Sequence, residues 1–290
     1  MNGKLQQKHD KPFFLVAGFW RPHVPMYAPQ KWHDLFPLDK IQLPKVLAND
    51  RADLPVYAKD LTNGEPAPRH EFFLEGNNWK SAVQSYLASI AFVDSQVGRV
   101  LDALDASPYT HNTIIVLFSD HGWHLGEKER WARSLWRDST RVPLIISAPY
   151  RPKGQTCNRP VGLIDIYPTL LGLTGSLSKI HLEGQNLLHY LHDPDLPSYR
   201  PAITTFGPGN HSLHFLHHHY IRYNDGSEEL YDLRKDPHEW HNLAGQPIEA
   251  KRISALRQHL PKTNAPPVRT KWWNRWEIAN WEKAKKNAKR

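Results

Sequence analysis

NTIIVLFSDHGWHLGEKERWARSLWRDSTRVP, Asn112 to Pro143, is the stretch that decides the fold of this chain. It opens with Thr113 to Phe118, a short run of β-branched and apolar residues that is typical of a strand buried on both faces of a parallel sheet. Such sheets place ligands at the carboxyl ends of their strands, so we expect Asp120 and His121 at a binding rim. The stretch therefore predicts an α/β fold with a polar site directly after this strand.

Asp120 and His121 are both side chains that bind cations, one through carboxylate oxygen and the other through a neutral ring nitrogen. An Asp after a strand also often caps the next turn, and a His beside it often satisfies a backbone carbonyl. The strand-end position alone leaves both interpretations open.

A second apolar run, Phe13 to Phe19, predicts another buried strand. It leads into a loop in which His23 lies between Pro22 and Pro25. The fixed φ angles of the prolines restrict this histidine, as a catalytic side chain requires. A loop histidine with a structural hydrogen bond fits the position equally well.

The remaining pattern predicts a large domain over residues 1–192, a small α+β subdomain over residues 193–262 and a basic, Trp-rich tail over residues 263–290. In the large domain, residues 35–77 indicate a long surface excursion without regular structure. Residues 79–107 carry apolar side chains at helical spacing and predict one long amphipathic helix.

In the small subdomain we expect strands at Ala202 to Phe206, His219 to Tyr223 and Glu229 to Leu233, joined in part by a turn at Asn224 to Gly226. A helix from Ile248 to Leu260 closes it. These elements predict a small antiparallel sheet with one helix.

Histidines cluster at the second of these strands, namely His214, His217, His218 and His219. Side chains alternate across a strand, so His217 and His219 share a face and His218 does not, which favours ordinary edge-strand histidines over a metal site. We expect His211, in the loop just before, to face substrate.

Composition limits the partners. The 290 residues carry a formal net charge of +8, but residues 269–290 hold eight Lys or Arg against two Glu. The rest of the chain is therefore almost neutral, and no nucleic-acid surface is expected there.

In the tail, tryptophans interleave with these basic residues at Trp272, Trp273, Trp276 and Trp281. We expect an arm that packs on its own domain, while base stacking and membrane contact remain alternatives.

A single cysteine, Cys157, excludes an internal disulfide and a cysteine zinc cluster. The first eleven residues are polar, and no apolar run reaches the length of a membrane helix, so the sequence taken literally predicts no signal peptide and no membrane span.

Four segments resemble the sulfatase family, and within it the iduronate-2-sulfatase group, in the same order along the chain. They are FFLVAGFWRPHVPM from Phe13, SDHGWHLGE from Ser119, VGLIDIYPTLL from Val161 and GSEELYDLRKDPHEWHNLA from Gly226. The resemblance implies part of an alkaline-phosphatase-like domain, with a mostly parallel sheet flanked by helices, followed by the small antiparallel subdomain. It also implies a periplasmic or secreted protein that acts on sulfated carbohydrate.

The resemblance assigns roles to particular residues. Asp120 and His121 match ligands of a calcium ion, and His23 matches the histidine that protonates the leaving oxygen. Arg133 stands where the family carries a lysine that binds sulfate, and it keeps the charge but cannot donate a proton in the same way. Trp123 lines the sugar pocket or serves only in packing.

The chain departs from the family at the nucleophile. Sulfatases use a formylglycine made from a C-x-P-S-R motif near two aspartates, but Cys157 begins CNRPV, and Ser147 of SAPYR lies inside a third expected strand, Val142 to Ala148. We therefore assign no nucleophile and expect an incomplete calcium site, since calcium takes six to eight ligands. The chain is expected to be catalytically incomplete.

Three functions remain open. The first is a sulfuric ester hydrolase of the iduronate-2-sulfatase type that acts on glycosaminoglycans. The second is a non-catalytic remnant that binds sulfated glycans, and the third is a phosphoester hydrolase of the same superfamily. The sugar and the oligomeric state do not follow from the sequence.

Overall fold

The computed structural model of the chain describes residues 2–63 and 69–265, which divide into two compact units. The first unit holds residues 2–45, 69–116 and 145–150, and the second holds the remaining described residues. In chain order the helices are α1 (Asn2–Leu5), α2 (Gln30–His33), α3 (Val56–Asn63), α4 (His70–Glu75), α5 (Trp79–Asp105), α6 (Arg137–Thr140), α7 (Ile166–Thr174), α8 (Leu188–His192) and α9 (Ala250–Arg257). The strands are β1 (Ile115–Phe118), β2 (Leu144–Ser147), β3 (Ala202–Thr205), β4 (His211–Phe215), β5 (His218–Arg222) and β6 (Glu228–Asp232). The predicted α/β class is confirmed.

The first unit is organised around α5, the long amphipathic helix that the apolar spacing predicted. Helices α1, α2 and α4 contact it. Trp32 of α2 lies with its ring centroid 6.2 Å from that of Phe92, and Gln84 donates a hydrogen bond to the Phe36 carbonyl at 2.8 Å. None of the helices in residues 2–63 and 69–265 is both long and apolar enough to cross a membrane.

The predicted strand from Phe13 to Phe19 is wrong. These residues form no regular structure and are exposed, with Phe14 83% accessible. A strand exists only where a neighbour accepts and donates its backbone hydrogen bonds, and among the described residues no segment pairs with this one. Apolar composition alone was therefore not sufficient to predict a strand.

Strand β1 begins two residues later than predicted and, within residues 2–63 and 69–265, pairs with β2 in a two-stranded sheet. Its expected burial on both faces is also wrong, because its residues are only half-buried and Phe118 is 52% accessible. Strand β2 confirms the third predicted strand and ends at Ser147. Residues 35–77, expected to be irregular, contain the short helices α3 and α4.

In the second unit, strands β3 to β6 form a sheet in sequential antiparallel order. The turn at Asn224 to Gly226 is confirmed, with the Tyr223 amide donating to the Ser227 carbonyl at 2.9 Å and Gly226 at φ +93°. Strand β4 was not predicted. It includes His211, which the sequence interpretation placed in a loop, whereas His217 lies in the turn after it.

Both faces of this sheet are buried. Side chains alternate along each strand, so successive residues contribute to opposite faces. One face carries Leu213, Tyr220 and Leu230 against Ile253 and Leu256 of α9. The opposite face packs on α3 and on a segment after β1, through Leu54, Ala58, Leu61, Leu135, Trp136, Ile221, Tyr223 and Tyr231. The sheet therefore provides the rigid support for the segment that follows Asp120. The tail tryptophans lie outside the described residues.

Candidate active site

Asp120 and His121 follow Ser119, the first residue after β1, and both side chains are exposed. The His121 amide donates to Asp120 Oδ1 at 3.0 Å, and His121 Nε2 lies 3.9 Å from Asp120 Oδ2. His121 Nδ1 lies 3.0 Å from the Gly122 carbonyl, which can only accept, so Nδ1 carries the hydrogen and Nε2 carries the lone pair of the neutral ring. Asp120 Oδ2 and His121 Nε2 are therefore close enough to bind the same ligand.

Gly122 holds this pair against the backbone of α6. Its amide donates to the Ser139 carbonyl at 2.8 Å. A Cβ on Gly122 would lie only 2.1 Å from the Asp138 carbonyl oxygen, so residues 120–122 approach α6 as closely as a glycine allows. This close approach is the local reason for a glycine after the Asp-His pair.

The calcium ion that the resemblance implies can be tested against this donor set. One carboxylate and one imidazole fit as two of its ligands, but calcium takes six to eight ligands, mostly oxygen. Trp123 is half-buried, and its ring centroid lies 5.9 Å from that of His121, so its indole lies beside the Asp120 and His121 pair. Asp120, His121 and Trp123 are therefore brought together.

Arg133 lies in the same unit, exposed between buried neighbours on both sides. Its backbone is left-handed, with φ +62°, which is rare for a residue with a Cβ. The guanidinium carbon lies 5.8 Å from the centroid of the Phe206 ring. The arrangement presents a fixed positive charge to solvent, as anion binding requires.

His23 belongs to the first unit and is half-buried in its proline loop, where the Arg21–Pro22 and Val24–Pro25 peptides are cis. Its Nδ1 donates to the Val24 carbonyl at 2.6 Å, and its ring centroid lies 4.7 Å from that of Trp20. These two contacts orient the ring, and the catalytic role of His23 stays a prediction.

His211 is buried at the start of β4. Its ring nitrogens lie 2.9 Å from Thr205 Oγ1 and 2.9 Å from Asn264 Oδ1, and burial lowers its pKa. Both ring nitrogens of His211 are therefore hydrogen-bonded to residues of the second unit. Its assignment to substrate stays a prediction.

A buried polar network around Lys128 was missed. Lys128 Nζ donates to Asp50 Oδ1 at 2.6 Å and to the Glu239 carbonyl, and the Glu239 carboxylate accepts from His219 Nδ1 and from the Arg137 amide. All of these side chains except that of Arg137 are buried. The signal was the density of charges among tryptophans in GEKERWARSLW, which a solvated loop does not need.

Glu229 is a third buried acid beside Asp50 and Glu239. It accepts hydrogen bonds from Trp136 Nε1 at 2.8 Å, Tyr223 Oη at 2.6 Å and Tyr231 Oη at 2.6 Å. Burial raises its pKa in spite of these three donors. The buried side chains of Lys128, Trp136 and Glu229 therefore join the segment after β1 to the face of the sheet on which it packs.

His124, Glu127 and Asp138 each place one ligand atom within 4.8 Å of the other two. His124, however, uses Nδ1 toward Glu127 at 2.9 Å and Nε2 toward Ser134 at 2.6 Å. The positive charge of Lys128 also acts on both His124 and Glu127. We interpret this group as a hydrogen-bonded cluster.

Comparison with known proteins identifies the class. The sequence profile of the family "Sulfatase" matches residues 1–176, and that of "N-sulphoglucosamine sulphohydrolase, C-terminal" matches residues 120–265. The chain belongs to the sulfatase family, and the resemblance drawn from its motifs is confirmed.

Two curated relatives and one solved structure show the extent of the match. A sulfatase of Formosa agariphila is 43% identical over 263 residues, which cover 90% of this chain and 52% of the relative. Human iduronate 2-sulfatase is 30% identical over 236 residues, covering 64% of this chain and 42% of the relative. A phosphonate monoester hydrolase of Agrobacterium radiobacter is 25% identical with a TM-score of 0.71, covering 87% of this chain and 58% of that chain. The chain spans about half the length of the curated relatives it matches.

Proposed function

We propose that this chain forms part of a sulfuric ester hydrolase of the iduronate-2-sulfatase type, which removes sulfate from sulfated sugars such as glycosaminoglycans. The observation that carries the proposal is the exposed Asp120 and His121 pair at the end of β1, with His121 Nδ1 committed to the Gly122 carbonyl. Membership of the sulfatase family, and a relative named iduronate 2-sulfatase, support the substrate class.

In this proposal Asp120 and His121 bind a divalent cation, which we expect to be calcium. A bound cation would attract the sulfate oxygens and neutralise part of their charge. The planar guanidinium of Arg133 binds two sulfate oxygens at once, because its N–H groups match a tetrahedral anion in pairs. Trp123 provides an apolar surface beside the cation for a sugar ring.

Hydrolysis breaks the bond between sulfur and the ester oxygen, adds the oxygen of water to sulfur and requires a proton on the leaving sugar oxygen. We assign that proton transfer to His23, whose ring is oriented by the Val24 carbonyl. Among the residues of this chain we assign no nucleophile, since Cys157 lies exposed with its sulfur 3.4 Å from the Pro194 carbonyl.

A non-catalytic binder of sulfated glycans is the second candidate. Arg133 in place of lysine favours it, because arginine preserves anion binding but does not donate a proton as lysine does. Phosphonate hydrolysis is a third, supported by the fold likeness to the Agrobacterium radiobacter enzyme.

One set of assays separates these functions. The purified chain is incubated with calcium and 4-nitrophenyl sulfate, 4-nitrophenyl phosphate or a phenyl phosphonate ester, and calcium and sulfate binding are measured by calorimetry. Asp120→Ala is compared with Asp39→Ala, which removes an exposed carboxylate in the turn Leu38–Lys40.

Sulfate ester turnover that is lost in Asp120→Ala and kept in Asp39→Ala supports the hydrolase. Because no nucleophile is assigned in this chain, binding of calcium and sulfate without turnover supports the glycan binder only if a chain extended upstream to include a C-x-P-S-R segment is also inactive. Neither turnover nor binding, or a preference for the phosphonate ester, overturns the proposal.

A further inference from the structure

Arg133 has a left-handed backbone conformation, with φ +62°. This conformation is unfavourable for a residue with a Cβ, so the chain on both sides must hold it in place. Trp131, Ser134 and Trp136 are all buried, and they surround the exposed arginine in sequence.

The residue after Arg133 is fixed by its hydroxyl. Ser134 Oγ lies 2.6 Å from His124 Nε2 and accepts a hydrogen bond from the Trp136 amide at 3.2 Å. With only 7% of Ser134 accessible, water does not compete for these bonds.

The residues before Arg133 are fixed by the backbone of the same histidine. The His124 amide donates to the Trp131 carbonyl at 3.0 Å. His124 therefore holds the chain two residues before Arg133 through its amide and one residue after it through its ring.

Glu127 fixes the ring of His124 in turn. Its Oε2 lies 2.9 Å from His124 Nδ1, and both side chains are buried. Burial lowers the pKa of His124 to about 4 and raises that of Glu127 to about 9, so both are neutral near pH 7. The Glu127 carboxyl then donates to Nδ1, and Nε2–H donates to Ser134 Oγ.

This proton order separates the cluster from a Ser-His-Glu nucleophile. An activated serine donates its proton to the histidine, whereas here Ser134 Oγ accepts from His124 and from a backbone amide. The three residues instead form a rigid support.

We propose that His124, oriented by Glu127 and bonded to Ser134, is a positioning residue that holds Arg133 in its left-handed conformation so that its guanidinium binds the sulfate group. The identity of the anion as sulfate rests on the proposed function. The support of Arg133 by His124 rests on the geometry.

The first measurement is calorimetric titration of the chain with sodium sulfate in calcium buffer. Ser134→Ala removes the bond to His124, and Ser107→Ala is the matched control, since it removes a buried hydroxyl bonded to the Leu104 carbonyl at 2.7 Å. We expect sulfate affinity to fall about tenfold in Ser134→Ala, the equivalent of one buried hydrogen bond, and to stay within about twofold in Ser107→Ala. Equal affinity in both variants overturns the inference.

Glu127 gives the rescue test. Glu127→Gln keeps a neutral donor for His124 Nδ1 and should retain sulfate affinity within about threefold, whereas Glu127→Ala should lose about tenfold. Equal losses in these two variants would contradict a positioning role through His124.

Hydrogen exchange keeps the two proposals distinguishable. If the chain does not bind sulfate, or Arg133→Ala binds it as well as the original chain, the anion role in the proposed function fails. The positioning inference is then decided by amide exchange over residues 132–136. In Ser134→Ala we expect exchange there to accelerate about tenfold while residues 211–222 stay unchanged, and unaltered exchange overturns it.

Discussion

Lys128 Nζ lies 2.6 Å from Asp50 Oδ1, and both side chains are removed from water although 78 residues separate them in sequence. The same ammonium lies 5.6 Å from the centroid of the Tyr231 ring and donates to the Glu239 carbonyl. Lys128 thus joins the segment after β1, the residues before α3 and the four-stranded sheet. Because the partners are distant in sequence, the pair stabilises tertiary structure rather than a local turn.

Lys128→Met should therefore destabilise the chain strongly. It leaves the Asp50 carboxylate buried without its partner, and removal of one member of a buried pair costs about 3–5 kcal/mol. Chemical unfolding followed by tryptophan fluorescence measures the change. Arg69→Met is the control, since the Arg69 and Glu71 pair at 3.8 Å is exposed and should change the free energy of unfolding by less than about 1 kcal/mol.

The double variant Asp50→Leu/Lys128→Met tests the cause. Removing both charges avoids the orphaned carboxylate, so the double variant should be more stable than Lys128→Met alone. A double variant that is less stable by the sum of two large single effects would show that the charges do not interact.

Gly122→Ala should disturb the proposed cation site at Asp120 and His121. The added Cβ would lie 2.1 Å from the Asp138 carbonyl oxygen, so residues 120–122 must move away from α6. We expect a loss of about 1–3 kcal/mol in stability and of calcium binding at Asp120 and His121. Thermal unfolding and calorimetry measure the two effects.

Gly98→Ala is the control for that substitution. A Cβ on Gly98 meets nothing within 4 Å, and Gly98 lies inside α5, so alanine should be neutral or stabilise by up to about 1 kcal/mol. Calcium binding that survives in Gly122→Ala would contradict the close approach as the reason for the glycine.

The sequence predicted the elements whose signal is local. The apolar spacing after Trp79 predicted α5, and the apolar run that ends one residue before Asp120 placed Asp120 and His121 at a strand end. Both follow from the period of the backbone and need no knowledge of partners.

The sequence did not predict where partners converge. A glutamate is ordinarily a surface residue. The register of β6 with β5 brings Tyr223 close to the Glu229 carboxylate, and packing of the segment after β1 on the sheet brings Trp136. The error at Phe13 to Phe19 has the same origin, because apolar composition indicates a preference for burial and carries no information on whether a strand neighbour is present. Contacts between distant segments decide both cases.

Glu127 should make stability depend on pH. Burial, together with Asp50, Asp138 and Glu239, raises its folded pKa to about 9 against the attraction of Lys128. A raised carboxyl pKa contributes stability that is complete below the unfolded value near 4.5 and is lost as pH rises toward 9. In Glu127→Gln that loss should disappear, at up to about 1.4 kcal/mol per pH unit. Unfolding free energies at pH 5, 7 and 8.5 measure the slope, and equal slopes in the two proteins would contradict a buried neutral Glu127.

Glu228 should act in the opposite direction. Burial alone would raise its pKa, but hydrogen bonds from Arg257 at 2.6 and 2.7 Å, from Tyr220 and from Arg222 lower it to about 2. Its contribution is therefore present above the unfolded value near 4.5 and is lost as pH falls toward 2. Arg257→Leu should reduce stability at pH 7 by about 1–2 kcal/mol and have a smaller effect at pH 3, because the carboxylate that Arg257 binds is then closer to neutral. Arg99→Leu, which removes a bond to the neutral Gln96, should change stability equally at both pH values. A penalty for Arg257→Leu that is the same at pH 3 and pH 7 would mean that packing of the side chain on α9, rather than its charge, accounts for the stabilisation.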